Sequence, residues 1–138
     1  MAANTSPIFT LVPVSKTVSV TTVTSDSPMR AGTGNNFATI LTAGANGTRV
    51  DRIVLTSQGT SVAGQLLLFI YDGATNWFFK ELTIAAVVAS TTLAAATTEL
   101  IRTDGLPICA LPSGYSLKCC VTVTQTNALN VSAFGGDF

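Results

Sequence analysis

The stretch that decides the fold is Thr48–Ile84, TRVDRIVLTSQGTSVAGQLLLFIYDGATNWFFKELTI. It contains three runs rich in apolar and β-branched residues, at 48–57, 62–72 and 77–84, separated by the polar segments 57–61 and 72–76. Short runs bounded by Gly, Asp, Asn and Ser are typical of β-strands joined by turns. The stretch therefore predicts a three-stranded meander to which the other strands are added.

The middle run of this stretch is apolar on both faces of a strand. Side chains alternate between faces along a strand, so residues 66, 68 and 70 share one face and residues 67, 69 and 71 share the other. Both faces must be covered, which predicts a central strand in a packed sandwich. At the start of the first run, Arg49 and Asp51 share one face of the strand. Val50 and Arg52 share the other.

Further strands are predicted on both sides of this stretch. They lie at 16–24 and 37–42, from Tyr115 onward and over 129–133, and Asn46-Gly47 is a hairpin signal. The Ala-rich region 85–104 contains Ser and Thr clusters that oppose a helix, so we expect a strand end, a loop and a short strand there. The predicted fold class is all-β: a single-domain antiparallel β-sandwich over 16–138, jelly-roll-like, with about eight strands.

Residues 1–15, MAANTSPIFTLVPVS, are predicted to form an extended N-terminal arm. Pro7 and Pro13 lack the N–H that a central strand would donate. An ordinary first strand at a sheet edge is the alternative. Four apolar side chains would be exposed in a monomer and are explained if the arm lies across a neighbouring molecule: Ile8, Phe9, Leu11 and Val12.

The chain carries little charge. Asp, Glu, Lys and Arg make up 10% of the residues, against about 25% in typical soluble domains. Seven basic and seven acidic residues cancel, and a net charge near zero favours association. We expect a protein that packs against copies of itself or a partner; a Thr-rich domain kept soluble by its hydroxyls is the alternative.

Several partners and locations are excluded by the same composition. No basic run is present to bind a nucleic-acid backbone, and no basic amphipathic helix suggests a membrane surface. The longest apolar runs, 66–71 and 84–89, are too short to span a bilayer. The N-terminal residues lack the pattern of a signal peptide, so we expect the chain to be made and used in the cytoplasm.

Catalytic chemistry has few candidate residues. The sequence contains no His, which removes the commonest general base and a usual zinc ligand. Asp51 and Glu81, expected on neighbouring strands, are the one carboxylate pair suited to a glycosidase. Asp51 is flanked by Arg49 and Arg52, and Glu81 follows Lys80, so surface charge explains them better. We expect no enzyme activity, no catalytic residue, no metal, no cofactor and no small-molecule substrate.

The three cysteines are predicted to be small buried hydrophobes in a reducing compartment. Cys119 and Cys120 are adjacent and would point to opposite faces of a strand. A Cys109–Cys119 bridge is the alternative, if neighbouring strands align the two residues.

The three aromatic side chains of Trp77, Phe78 and Phe79 cannot all point to the core-facing side of one strand. Residues 77 and 79 share one face and residue 78 takes the other, so at least one ring is exposed or covered by another element. Packing against a second sheet, a contact between subunits and a stacking platform for sugar all remain open. With the N-terminal residues, the candidate interface comprises Ile8, Phe9, Leu11, Val12, Trp77, Phe78 and Phe138.

Four segments carry a resemblance to a known family: TRVDRIVLTSQGT, LLLFIYDGATNWFFKEL, LPSGYSLKCCVTV and the terminal LNVSAFGGDF. Together they span roughly 37–138 and resemble small β-sandwich structural proteins of tailed bacteriophages. The resemblance implies a virion component, a capsid decoration (cement) protein that is typically trimeric and sits on the outer surface of the head. Its partners would be the major capsid protein and copies of itself, assembled in the host cytoplasm.

Two alternatives to that role remain. Similar small β-domains occur in tail, neck and baseplate assemblies, and a carbohydrate-binding β-sandwich module is the third reading. The arm, residues 1–15, falls outside the resemblance and is where docking specificity could reside.

Overall fold

The computed structural model describes residues 12–24 and 28–138. These residues form nine strands and no helix. The strands are β1 (Val12–Val20), β2 (Ala38–Thr42), β3 (Thr48–Ser57), β4 (Gly64–Tyr71), β5 (Asn76–Ile84), β6 (Thr97–Ile101), β7 (Cys109–Leu111), β8 (Ser116–Val121) and β9 (Leu129–Asp137).

The strands build two antiparallel sheets that pack face to face. The first sheet has the order β1-β9-β3-β6, and the second has the order β2-β8-β4-β5. β7 also pairs with β3, at Thr48–Val50, next to the stretch Arg52–Thr56 that pairs with β6. β6 and β7 thus share one strand position, and the chain passes back and forth between two four-position sheets. This topology is a jelly roll, which confirms the predicted all-β sandwich.

The predicted meander is wrong, although its three strands are present close to the predicted bounds. β3 belongs to the first sheet, whereas β4 and β5 form a hairpin in the second. The link 58–63 therefore crosses between sheets. The Asn46-Gly47 turn does the same between β2 and β3, with Gly47 at a φ of +94°. Turn-forming residues reverse the chain equally well within one sheet and between two, so turn chemistry alone does not separate the cases.

The main core lies between the two sheets. It is formed by inward-facing side chains that are completely buried, among them Ile53 and Leu55 of β3, Leu66 and Leu68 of β4, Leu117 of β8 and Val131 of β9. The predicted inward residues of the last strand, Leu129, Val131 and Ala133, all lie in this core.

A second, smaller apolar cluster lies on the outer face of the second sheet. Leu67, Phe69 and Cys120 are fully buried there beneath Phe37. The rings of Phe37 and Phe69 meet edge to face, with centroids 5.0 Å apart. The prediction that the middle strand is covered on both faces is therefore confirmed.

The covering element is residues 28–37, here called the cover segment. Arg30 of this segment hydrogen-bonds to two strands of the second sheet. Its Nε donates to Glu81 Oε2 of β5 at 2.9 Å, and its Nη2 donates to Gln65 Oε1 of β4 at 2.8 Å. Gly32 lies against β5 so closely that a Cβ would be 2.2 Å from the Asn76 carbonyl oxygen. The cover segment also buries Cys120 of β8 on this outer face.

A β-bulge changes the charged end of β3. The register with β9 shifts between Val50 and Arg52, so Asp51 is an extra residue. Val50 is completely buried while Asp51 is half-buried and Arg52 is exposed. Arg52 was predicted to share the face of Val50, and that prediction is wrong because an extra residue reverses the alternation.

The N-terminal boundary also differs from expectation. β1 begins at Val12 and pairs with β9 from Val12–Asp137 to Val20–Leu129. Val12–Ser15 therefore form part of an ordinary first strand at a sheet edge, which was the alternative to an extended arm, because β1 is an outer strand of the first sheet. Residues 1–11 lie outside the described residues.

The expected loop and short strand in 85–104 are confirmed, since residues 85–96 contain no helix and β6 follows.

Candidate protein-contact surface

Trp77 is the largest exposed apolar side chain at a strand end, with 59% of its surface exposed. It follows the turn between β4 and β5, and its Nε1 donates to Asp72 Oδ2 at 2.8 Å. Asp72 Oδ1 accepts from the backbone N–H of Ala74 at 2.9 Å and of Thr75 at 2.8 Å. These bonds, that of Trp77 first, lower the pKa of Asp72 from 3.8 to about 2. The indole is thus held by its own turn with its ring in solvent.

Phe78 and Phe79 take different directions from Trp77. Phe78 is 40% exposed, packs on Phe69 at 5.8 Å between centroids and lies under the Arg30 guanidinium. It therefore belongs to the cover-segment packing. Phe79 sits at a register shift in the pairing with β4 and packs against the main core. The expectation that one large ring would be exposed is confirmed by Trp77.

Two more exposed apolar side chains belong to β6, the strand that meets β5, and to the loop after β6. β5 and β6 are outer strands of their sheets and meet where Thr98 Oγ1 donates to the Thr83 carbonyl at 2.8 Å. Ile101, at the end of β6, is 57% exposed and lines a shallow cleft together with Lys80. Leu106, also 57% exposed, lies in the following loop. We call Trp77, Ile101 and Leu106 the edge patch.

Ile101 and Leu106 were not predicted from the sequence. Ile101 shares a strand face with Glu99, so an apolar residue on a polar face was the available signal. Leu106 follows Asp104-Gly105 in a turn, where an apolar side chain has no core to enter.

The arginines of the described residues are each paired with a carboxylate of the same chain. Asp51 and Glu81 were expected on neighbouring strands, but they lie in different sheets and each binds an arginine, so they form no carboxylate pair. Glu81 pairs with Arg30 of the cover segment and not with Lys80. The four arginines and their carboxylates are Arg30–Glu81, Arg49–Asp51, Arg52–Glu99 and Arg102–Asp104.

The outer strands are protected against backbone pairing with another molecule. β1 carries Pro13 and Lys16, and Lys16 is exposed even though its register position faces the core. β2 has a bulge at Ile40, and β5 has one at Phe79 followed by Lys80. β6 has only five residues. Short strands, bulges, Pro and inward-pointing charge are the features that block edge-to-edge pairing, so contacts through side chains are favoured.

The other predicted interface residues lie elsewhere. Val12 is 57% exposed at the start of β1 and pairs with Asp137. Phe138 is half-buried, and its N–H donates to the Gly47 carbonyl at 3.1 Å. β1 and β6 are at opposite ends of the first sheet, so Val12 is not brought together with Trp77. Ile8, Phe9 and Leu11 lie outside the described residues.

The three cysteines form no disulfide bond. Cys119 lies in the main core and Cys120 lies beneath the cover segment, on opposite faces as predicted. Burial raises the pKa of Cys109 to about 11, and burial together with Cys120 raises the pKa of Cys119 well above its usual range. The alternative Cys109–Cys119 bridge is not formed.

Residues 12–24 and 28–138 contain no group of three Cys, Asp or Glu side chains placed to hold a metal ion. The same residues include no helix long and apolar enough to cross a membrane.

No family model and no curated protein matches the chain. Among solved structures, it is similar to a protein of the capsid asymmetric unit of cyanophage Pam1, with a TM-score of 0.40 and 16% sequence identity. The alignment covers 99% of this chain and 92% of that one. A likeness at this level assigns neither a family nor a function to the chain.

Proposed function

We propose that the chain is a structural protein of a bacteriophage virion, and within that class a capsid decoration (cement) protein that stabilises the head by binding across capsomers. The observation that carries the proposal is the edge patch, above all a tryptophan that is 59% exposed yet held by its own turn. Such a side chain loses little conformational freedom when a partner covers it, which is a property of interface anchors.

The magnitude of this contact is suited to repeated binding. A tryptophan side chain covers up to about 250 Å², so the exposed fraction is roughly 150 Å². Covering that area contributes about 4 kcal/mol at 25 cal/mol per Å², before the entropy lost on association is subtracted. One such contact gives weak binding. Repetition over a regular shell turns weak contacts into strong attachment.

Charge and fold support the same proposal. With its arginines neutralised internally, the domain has little long-range field to repel copies set side by side. The jelly roll is a fold of viral capsid domains and also of lectins, so the fold is compatible with the role without deciding it. The proposed partners are the major capsid protein and copies of the chain, as a trimer on the outer head surface assembled in host cytoplasm. The protein is proposed to act by contact alone, without catalysis.

The test is to add purified protein to undecorated capsids and image them by electron cryomicroscopy. We expect regular density at local threefold positions or capsomer junctions. Trp77→Ala should reduce occupancy at least tenfold, whereas Phe134→Ala, an aromatic change on the outer face of the first sheet, should leave occupancy near wild type. Binding to tails with none to heads would replace the proposal by the tail, neck or baseplate alternative.

Sugar binding is a second candidate function because an exposed, fixed indole beside a carboxylate, Trp77 with Asp72, is also the arrangement of a sugar-stacking site. Trp77 is the only tryptophan of the chain, so its fluorescence reports ligand contact directly. Titration with a panel of oligosaccharides should leave the emission unchanged if the protein is a capsid component. A saturable change that is lost in Asp72→Ala would favour the carbohydrate-binding alternative.

A further inference from the structure

We propose that the cover segment opens away from the second sheet while the sandwich stays folded, and that Arg30 keeps it closed. The segment acts as a lid over the outer cluster, whose members Leu67, Phe69 and Cys120 are fully buried in the closed form. This inference goes beyond the proposed function, since it concerns a change of conformation within one molecule.

Few side chains of the cover segment are buried against the sheet. Residues 28–37 belong to no strand, and Gly32 is the one residue among them that is buried. Phe37 packs on the outer cluster at the end of the segment, whereas Met29 is exposed. The segment therefore loses little buried apolar surface of its own when it leaves the sheet, and elements with few buried apolar contacts open at low free energy.

Arg30 holds the segment to the sheet through contacts that water reaches. Its guanidinium donates to Glu81 Oε2 at 2.9 Å and to Gln65 Oε1 at 2.8 Å, and it lies 5.7 Å from the ring centroid of Phe78. The side chains of the ion pair are 46% and 37% exposed. Exposed ion pairs stabilise a structure only weakly, so this end of the segment can detach without unfolding the strands beneath it.

The two ends of the segment are fixed to each other at its base. Thr24 donates its N–H to the Val121 carbonyl at 3.2 Å and its Oγ1 to the Asn35 carbonyl at 3.3 Å. Asn36 Nδ2 donates to the Val23 carbonyl at 2.9 Å, and the φ of Asn36 is +64°, which a residue other than glycine rarely adopts. Because the base closes on itself, the segment can open about Asn36 without pulling on β2 or β8.

Opening changes the character of the outer face of the second sheet. Phe78 is already 40% exposed, and its ring centroid lies 5.8 Å from that of Phe69. Removal of the cover joins Phe78 to Phe69 and Leu67 in one apolar strip across β4 and β5. The closed form withholds this strip from solvent, and the open form presents it.

Two adjacent cysteines report local opening and global unfolding separately. Cys119 lies in the main core and Cys120 lies beneath the cover segment. Leu67 pairs with Glu81 in β5 and with Cys120 in β8, so Cys120 lies two strand spacings, about 10 Å, from the position of Glu81. Opening of the segment exposes Cys120, whereas Cys119 is exposed only when the two sheets separate.

Alkylation by iodoacetamide under native conditions, located by tandem mass spectrometry, measures the labelling rate of each cysteine relative to denatured protein. We expect Cys120 to be labelled at least tenfold faster than Cys119 in the wild type. Arg30→Gln should accelerate labelling of Cys120 about fivefold and leave Cys119 unchanged, because it removes the ion pair and the contact with Phe78. Arg102→Gln, which removes an ion pair of similar exposure after β6, is the control and should change neither rate.

Gly32→Ala is a second variant, because its Cβ would overlap the Asn76 carbonyl oxygen and prevent the segment from seating on β5. We expect Cys120 in this variant to be labelled at least tenfold faster than in the wild type, with Cys119 still protected. Equal labelling of the two cysteines in the wild type, or equal acceleration of both by Arg30→Gln, would overturn the inference, since the thiols would then be exposed together by global unfolding. An effect of Arg102→Gln as large as that of Arg30→Gln would overturn the role of Arg30.

Discussion

Phe37→Ala tests whether the cover segment is part of the folded structure of the second sheet. Phe37 is half-buried and its ring meets that of Phe69 edge to face. Its removal opens the outer cluster, in which Phe69 and Cys120 are now completely buried. We expect the protein to fold, with a lower free energy of unfolding and a Cys120 thiol that reagents can reach.

The magnitude follows from the covered area. An aromatic side chain of 150–250 Å² that is mostly covered buries roughly 100–150 Å², which contributes about 2.5–4 kcal/mol at 25 cal/mol per Å². The edge-to-face pair adds about 0.5–1.5 kcal/mol. Partial collapse of the segment onto the sheet recovers some of this sum. We expect the free energy of unfolding to fall by about 2–3 kcal/mol.

Urea denaturation followed by circular dichroism measures this change. With a slope near 1.5 kcal/mol per M, the midpoint should fall by roughly 1–2 M. Val88→Ala is the control, because a small apolar side chain that is 72% exposed should contribute at most about 1 kcal/mol. If Phe37→Ala costs no more than this control, and alkylation of native protein does not label Cys120, the cover segment does not stabilise the sheet as described.

Two further predictions concern the backbone and pH. Gly135→Ala should destabilise the protein by about 3 kcal/mol or more, because the new Cβ would overlap the Arg49 carbonyl oxygen. Gly64→Ala is the control in thermal unfolding, because its new Cβ meets only side-chain atoms at 3.2 Å and beyond. Equal effects of the two substitutions would refute the close approach at Gly135. The Asp72 pKa lies near 2 in the folded state and at 3.8 ordinarily, so the bond to Trp77 is complete above pH 4 and is lost as the pH falls through about 2. Tryptophan emission should therefore titrate near pH 2 in the wild type and remain flat in Asp72→Asn, and a transition common to both would contradict this assignment.

The sequence predicted strands well where one physical signal dominates. The bounds of β3 were predicted to the residue, because β-branched residues end at a Ser-Gln-Gly turn. Burial of Leu67 and Phe69 was also predicted, since a strand that is apolar on both faces has to be covered. The identity of the cover was not predictable: residues 28–37 are turn-rich, and the contacts of Phe37 and Arg30 are with residues distant in sequence.

Pairing between strands was predicted poorly, because it depends on contacts distant in sequence. Asn46-Gly47 has the same residues whether it closes a hairpin or links two sheets, and the bulge at Asp51 has no local signature. Of the candidate surface, Trp77 was predicted because three consecutive aromatics cannot share one strand face. Ile101 and Leu106 were missed, since their exposure depends on which strand lies at the side of each sheet.

The protected outer strands have a consequence for behaviour at high concentration. A β-rich chain of nearly half apolar residues is at risk of growing into amyloid fibrils through its sheet margins. In the described residues, Pro13, Lys16 and the bulges at Ile40 and Phe79 interrupt three of these margins, and β6 offers only five residues. Crowded solutions of the folded protein should therefore yield discrete particles or clear solution, and not thioflavin-positive fibres.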